Sequence, residues 1–181
     1  MNGGRRESNE KEDQSKASSS VIGKPFHSTI AGLKCIELQT GNDPRGTMIL
    51  LHGYGANAKD LESVATILAT QIPAMRFIIP QAPIQLQPGM PSYAWWELDV
   101  ASLMAKAAIS GPDALFVGQS PDVATHTTDL LKDVIEHEKR IFQIPNHRIV
   151  VGGFSQGSWL ATNVALQLKT LGALVVYSGV L

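Results

Sequence analysis

The feature that most constrains this fold is a G-x-S-x-G pattern at residues 153–157, centred on Ser155. It stands between residues 147–153, a short apolar run typical of a buried strand, and residues 158–170, which have helical spacing. A chain that passes from strand to helix so sharply strains the central residue, and glycine is needed where a β-carbon would clash. The pattern therefore predicts a tight strand-turn-helix unit with the serine hydroxyl exposed above the carboxyl end of a sheet.

This setting predicts a nucleophile elbow, with Ser155 as the nucleophile and with Gly153 and Gly157 as the elbow glycines. The serine would stand at a helix N-terminus, where free N–H groups and the helix dipole favour negative charge. The alternative is a glycine-rich turn that carries no chemistry. The strand and helix on its two sides favour the catalytic interpretation.

A second motif fits the first, because a predicted strand at residues 47–53 runs into the sequence His52-Gly53-Tyr54-Gly55. Hydrolases that use an elbow stabilise the oxyanion with one N–H from the residue after the nucleophile and one from an early strand-to-helix loop. The expected donors are the backbone N–H groups of Gln156 and Tyr54. We expect His52 to brace the loop by hydrogen bonds, although it is also a candidate general base.

The other four histidines are weaker candidates for chemistry. His27 lies near the polar N-terminal tail, His126 and His137 fall on a predicted surface helix, and His147 opens the strand at the end opposite Ser155. Spacings such as H-E-x-x-H or paired C-x-x-C are absent from the sequence, and so is a glycine-rich phosphate loop. We therefore expect no metal site.

A long loop at residues 81–98 is rich in proline, glutamine and aromatic residues, and long loops in compact domains are often functional. Trp95 and Trp96 lie in it and could line an acyl-binding groove beside the nucleophile. An equally good interpretation is that these tryptophans anchor the loop to the core.

Strand and helix patterns alternate along the chain, which predicts an α/β fold with a largely parallel sheet. The predicted strands are residues 34–40, 47–53, 76–80, 147–153 and 173–181. The predicted helices are residues 59–72, 99–109, 120–142 and 158–170, the third of them beginning at Ser120 and Pro121 and burying Val123, Leu130, Val134 and Ile141.

Composition narrows the class of protein. The chain has 181 residues, of which 44% are hydrophobic, and a net charge of −1, so it suits one globular domain and lacks the basic excess of a nucleic-acid binder. Residues 1–20 read as a disordered polar tail and residues 21–181 as the domain. The tail has no apolar run, and no stretch reaches the length of a membrane span, so we expect a cytoplasmic protein. The single cysteine, Cys35, is expected to be a buried structural thiol.

The stretches MILLHGYGANAKDL, IIPQAP, YAWWELD, IPNHRIVVGGFSQGSWLA and VVYSGVL resemble the acyl-protein thioesterase, lysophospholipase and carboxylesterase family. They occur in the family's order over roughly residues 30–181. The resemblance implies an α/β-hydrolase fold with helices on both faces of a mostly parallel sheet. It also implies no cofactor and an acyl ester or thioester as substrate, whether a small molecule, a lysophospholipid or an S-acylated protein.

The chain departs from the family in its catalytic triad. The resemblance implies the order Ser, Asp, His, with both partners after the strand in residues 173–181, and neither a histidine nor a carboxylate follows Ser155 here. We interpret the domain as incomplete, because it lacks its last two strands and the triad Asp and His. The strand at 173–178 is then expected to lie at the edge of the sheet. The hypothesis is a serine carboxylic-ester or thioester hydrolase that is inactive as this chain alone. The alternative is a catalytically dead binding or partner protein.

Overall fold

The computed structural model of the protein describes residues 22–111, 124–168 and 170–179. Its strands are β1 (Phe26–Ile30), β2 (Leu33–Gln39), β3 (Gly46–Leu51), β4 (Met75–Pro80), β5 (Ile84–Gln85), β6 (Tyr93–Ala94), β7 (Ile149–Phe154) and β8 (Ala173–Tyr177). Its helices are α1 (Glu62–Ala69), α2 (Val100–Ser110), α3 (Thr125–Phe142) and α4 (Gln156–Gln167), with 3₁₀ turns at Ala58–Leu61 and Asn146–Arg148.

Among the described residues, six strands form the main sheet in the order β1-β2-β4-β3-β7-β8. The strands β4, β3, β7 and β8 run parallel to one another, whereas β2 pairs antiparallel with β4 and β1 pairs antiparallel with β2. The predicted α/β architecture with a mostly parallel sheet is therefore confirmed. In the parallel part, the carboxyl ends of β3 and β7 lie side by side, with Leu51 opposite Gly153.

Side chains that alternate along the strands build two cores, one on each face of the sheet, because successive strand residues point to opposite sides. Ile49 and Leu51 of β3 join the core that is covered by α3 and α4. Met48 and Leu50 join the core that is covered by α1. The expectation of helices on both faces of the sheet is thus confirmed.

The β1–β2 hairpin was not expected from the sequence. Most of β1 is exposed, so it lacks the alternation of apolar and polar residues that predicts a strand. Its two-residue turn is Ala31-Gly32, and both residues have positive φ, at 50° and 81°. These values are typical of a tight hairpin turn, whose first residue is usually asparagine or glycine. Because alanine stands there instead, the sequence did not indicate the turn.

The face of helix α3 that packs against the core differs from the predicted one. Val134 is buried as predicted, but Ile141, also expected in the core, is 52% exposed. Leu130 is only partly buried, and the buried positions beside Val134 are Leu131 and Ile135. Glu138 is also fully buried on this face, so a charged residue occupies a position that spacing rules assign to an apolar one. The predicted start of the helix at Ser120 and Pro121, and Val123 with it, lie outside the described residues.

Other expectations need smaller changes. Cys35 is buried, as predicted. His147 lies in an exposed 3₁₀ turn before β7 and does not open the strand. The predicted outer position of the last strand is confirmed, because β8 is one of the two outer strands of the described sheet. The tail at residues 1–20 lies outside the described part of the chain. Within that part, no helix has the length and apolar character needed to span a membrane.

Candidate active site

Ser155 stands where β7 ends and α4 begins, at the carboxyl edge of the sheet. Its φ of 51° and ψ of −116° lie in a region that residues with a side chain rarely adopt, which is the strain expected of an elbow. The backbone N–H of Ser155 donates to the carbonyl of Tyr177 at 2.9 Å. Its hydroxyl does not cap α4, and the residue is exposed, so the oxygen is free to meet a substrate.

The two elbow glycines lie against backbone. A β-carbon on Gly153 would lie 2.2 Å from the carbonyl carbon of Gly157, and one on Gly157 would lie 2.3 Å from the carbonyl oxygen of Leu51. Both separations are far below a van der Waals contact, so only glycine fits at either position. The geometry supports the predicted steric role of these glycines and brings the start of α4 directly onto the end of β3.

The loop after β3 passes close to the elbow. A β-carbon on Gly53 would lie 3.4 Å from Cβ of Ser155 and 3.1 Å from the ring of Phe154. Gly55, two residues on, has a φ of 79°, a left-handed conformation that favours glycine. Tyr54 therefore stands between two glycines, in a loop that the structure brings beside the nucleophile.

The backbone N–H groups of Tyr54 and Gln156 are the predicted oxyanion donors. Neither donates a hydrogen bond to any residue that the structure describes. In contrast, the N–H groups of Gly55, Ser155 and Ser158 are all paired. Unpaired backbone N–H groups beside a nucleophile are what a developing negative charge requires, because they need no reorganisation when that charge forms.

His52 is buried, at 1% exposure, and both of its ring nitrogens are engaged. Nδ1 lies 2.8 Å from the carbonyl oxygen of Gly53, and the N–H of Ala82 donates to Nε2 at 3.1 Å. Burial lowers the pKa of His52, which outweighs the opposing hydrogen bond to Gly53. A neutral imidazole with both nitrogens bonded braces its loop, as expected, and has no free site at which to accept the proton of Ser155.

Trp95 and Trp96, the candidate groove residues, are 1% and 5% exposed. The indole N–H of Trp95 donates to the carbonyl of His52 at 2.8 Å. The ring of Trp96 lies 4.9 Å from that of Trp159 on α4. Both tryptophans thus belong to the core beneath the loop, which favours the anchoring interpretation over the groove.

The remaining histidines lie away from the elbow. His27 is on β1 at the far edge of the sheet, His126 and His137 are on α3, and His147 is at the amino end of β7. None of them is hydrogen-bonded to Ser155. Within the described residues, no group of histidine, cysteine or carboxylate side chains could hold a metal ion.

One part of the site was missed by sequence reasoning, namely the side chain of Gln156. It is buried, and its Oε1 accepts from the N–H of Trp95 while its Nε2 donates to the carbonyl of Trp96, both at 2.9 Å. The sequence held a signal for this contact, because a polar residue at the first position of a buried helix must find partners. It did not show which partners.

The chain is similar in sequence to known proteins. Residues 34–181 match the family model described as phospholipase/carboxylesterase. The chain is 33% identical over 146 residues to acyl-protein thioesterase 1 of Mycosarcoma maydis, a match that covers 75% of this chain and 57% of that protein. It is 30% identical over 141 residues to acyl-protein thioesterase 1 homolog 1 of Dictyostelium discoideum, with the same coverage of 75% and 57%.

The fold has a clear counterpart among solved structures. The crystal structure of esterase PE8 superposes with a TM-score of 0.61 at 22% sequence identity, over 90% of this chain and 64% of that one. Similarity at this level of identity shows the fold, and the expected α/β-hydrolase architecture is confirmed. The chain spans a little over half the length of the two acyl-protein thioesterase relatives it matches.

Proposed function

Since the chain belongs to the phospholipase/carboxylesterase family of α/β-hydrolases, we propose that it is a serine hydrolase of carboxylic esters or thioesters that works through an acyl-enzyme on Ser155. The observation that carries this proposal is the strained, exposed Ser155 beside the N–H groups of Tyr54 and Gln156, neither of which donates to a residue that the structure describes. A strained serine whose oxygen caps nothing has a function other than holding the helix.

The chemistry follows from the positions of these groups. Oγ of Ser155 attacks the acyl carbonyl carbon, a C–O bond forms, and the carbonyl electron pair moves to oxygen, where the N–H groups of Tyr54 and Gln156 stabilise it. Collapse of the tetrahedral intermediate breaks the bond to the alcohol or thiol, which leaves with a proton. Water then attacks the acyl-enzyme, releasing the acid and restoring the hydroxyl of Ser155.

The proton of Ser155 must pass to a base. All five histidines of the chain lie in the described residues, and the one nearest the elbow, His52, has both nitrogens engaged. Residual catalysis in serine hydrolases that lack triad members comes from the oxyanion hole and from binding, with solvent species taking the proton. We therefore expect slow acylation of Ser155 in this chain, with a rate that rises with hydroxide concentration.

The acyl substrate is proposed at the level of class. One relative is named acyl-protein thioesterase 1 and another acyl-protein thioesterase 1 homolog 1, and these names support a protein-bound acyl thioester as one substrate of this chain. A small carboxylic ester is the second, supported by the description of the family. Location in the cytoplasm stays a prediction from the sequence.

A fluorophosphonate probe tests the assignment of the nucleophile. The serine oxygen attacks phosphorus, the P–F bond breaks with release of fluoride, and the phosphoryl oxygen gains negative charge during the attack, as the oxyanion of an ester does. We expect one adduct on the intact chain at pH 9, located on Ser155 by peptide mass spectrometry, and none in Ser155→Ala. Ser178 provides a matched control, since it is also exposed and has a positive φ of 56°. Ser178→Ala should be labelled like the wild type.

A second candidate function is a binding protein of the same fold without turnover. It is favoured by the engaged ring of His52 and by the lack of a histidine bonded to Ser155 in the described residues. The two candidates are separated by the same probe together with an activated thioester. Labelling of the wild type no faster than that of Ser155→Ala, with no thiol release, would exclude the hydrolase and leave the binding protein.

A further inference from the structure

The two proposed oxyanion donors belong to separate segments of the chain. The N–H of Tyr54 follows β3 and that of Gln156 begins α4, about a hundred residues later in the sequence. An oxyanion hole works only if its donors are held in a fixed relation, since a small error in position costs much of their effect. A physical connection between the two segments is therefore part of such a site.

Residues 93–96, which we call the bridging segment, are bonded to the loop that carries Tyr54. The N–H of Gly55 donates to the carbonyl of Tyr93, and the N–H of Tyr93 donates to the carbonyl of Ala56, both at 2.9 Å. The indole N–H of Trp95 adds a third bond, to the carbonyl of His52 at 2.8 Å. These bonds enter the loop on both sides of Tyr54.

The same segment is bonded to the side chain of Gln156. The side-chain amide of Gln156 accepts a hydrogen bond from the N–H of Trp95 and donates one to the carbonyl of Trp96, each at 2.9 Å. All three residues are buried. Because buried polar groups left without partners are costly, these two bonds fix the side chain of Gln156, and with it the first turn of α4, against the segment.

We propose that the bridging segment positions the oxyanion hole, with Trp95 and Gln156 as positioning residues that hold the N–H groups of Tyr54 and Gln156 in register. Trp95 contacts both sides of the site, since its indole N–H donates to the loop that carries Tyr54 and its backbone N–H donates to the side chain of Gln156. The role rests on the proposed function of Ser155. This role differs from anchoring the loop at residues 81–98, because burial of the tryptophan rings is sufficient for anchoring and a hydrogen bond to Gln156 is not required for it.

The test uses Trp95→Phe and Gln156→Met in the full chain. Trp95→Phe keeps an aromatic ring in the core and removes the indole bond to His52. Gln156→Met keeps the length of the side chain and the backbone N–H but removes both bonds to the segment. The control is Trp159→Phe, the same exchange at a ring that packs on the same core and makes no hydrogen bond to a described residue.

The readout is the labelling of Ser155 by the fluorophosphonate, resolved into its maximal rate and the probe concentration that gives half of that rate. We expect the maximal rate to fall about tenfold to hundredfold in Trp95→Phe and in Gln156→Met. The half-maximal concentration should change less than about threefold, and Trp159→Phe should stay within about twofold of the wild type in both quantities. The double variant should fall by less than the product of the single effects, because both changes break one bridge.

Hydrogen exchange of the wild-type chain tests whether the bridge is formed, even if the variants fold poorly. The backbone amide of Trp95 should be protected, whereas an amide in the exposed turn at Gly89 should exchange fast. Equal exchange at both positions would overturn the bridge. A wild-type chain that is labelled on Ser155, with both variants labelled at the same maximal rate, would overturn the positioning role alone. A wild type that is not labelled would overturn the proposed function and this proposal together.

Discussion

Oε2 of Glu138 on α3 lies 2.8 Å from Nε of Arg76 on β4, and both side chains are almost completely buried. The hydroxyl of Thr47 on β3 donates to the same carboxylate oxygen at 2.7 Å. The guanidinium of Arg76 also pairs with Glu37 on β2 and lies 3.5 Å from the ring centre of Phe142. This cluster ties a helix to three strands at the amino end of the parallel strands, opposite Ser155.

We expect Glu138→Ala to lower the free energy of unfolding by about 3–5 kcal/mol, because it leaves the buried charge of Arg76 with one carboxylate fewer. The measurement is urea unfolding followed by circular dichroism. Glu136→Ala on the same helix is the control, since Glu136 is exposed and pairs with Lys139 at the surface. It should cost about 1 kcal/mol or less. Equal losses in the two variants would contradict the role given to the cluster.

The elbow glycines give a second prediction. Gly153→Ala would bring a β-carbon to 2.2 Å from backbone, so the turn must open, and we expect a loss of more than about 4 kcal/mol. Gly89→Ala is the matched change at a glycine with a φ of 78° and no atom near its β-position. It should cost only the strain of that φ, about 1–2 kcal/mol. Urea unfolding of both variants tests this, and a Gly153→Ala protein as stable as Gly89→Ala would count against the elbow.

The stability of the fold should depend on pH through His52. Burial lowers its pKa in the folded state below the value of 6.5 that it has in the unfolded chain. As the pH falls through 6.5, the unfolded chain takes up a proton that the folded one does not, so stability falls, by at most about 1.4 kcal/mol per pH unit. Below the folded pKa the loss levels off, and above 6.5 this group contributes no slope.

Urea unfolding of the wild type and of His52→Asn between pH 5 and 8 measures this contribution as the difference between the two curves. Asparagine retains a donor for the carbonyl of Gly53 and does not titrate. The wild type should lose stability more steeply than the variant below pH 6.5. Parallel curves would show that His52 is not held in its neutral form.

The thiol of Cys35 should be inert in the folded protein. Burial raises its pKa to about 12, so thiolate is scarce at ordinary pH, and the side chain is 2% exposed. The same chain unfolded in about 8 M urea should react fully with a disulfide reagent at pH 8. Within that time we expect no reaction of the native chain. Equally fast modification of the native chain would place the thiol at the surface.

Local sterics explain why the elbow could be predicted from the sequence. The strain of Ser155 and the close contacts of Gly153 and Gly157 arise within a few residues of chain, so the pattern of glycines around a serine already contains them. The loop around Tyr54 could be predicted for the same reason, because the spacing of Gly53 and Gly55 indicates a backbone that passes close to another segment of the chain. Alternation of strand and helix patterns was likewise sufficient to predict a mostly parallel sheet.

Contacts between distant residues were decided only by the tertiary structure. Arg76 and Glu138 are 62 residues apart, and Gln156 and Trp95 are 61 apart, so no local period relates them. A buried charge or amide is tolerated only where the fold supplies its partner, and that partner is set by the order of strands in the sheet. The sequence by itself therefore determined the turn that bears Ser155, through short-range sterics. The tertiary structure determined what holds Gln156 and Tyr54 beside it, through hydrogen bonds that close only when the sheet has formed.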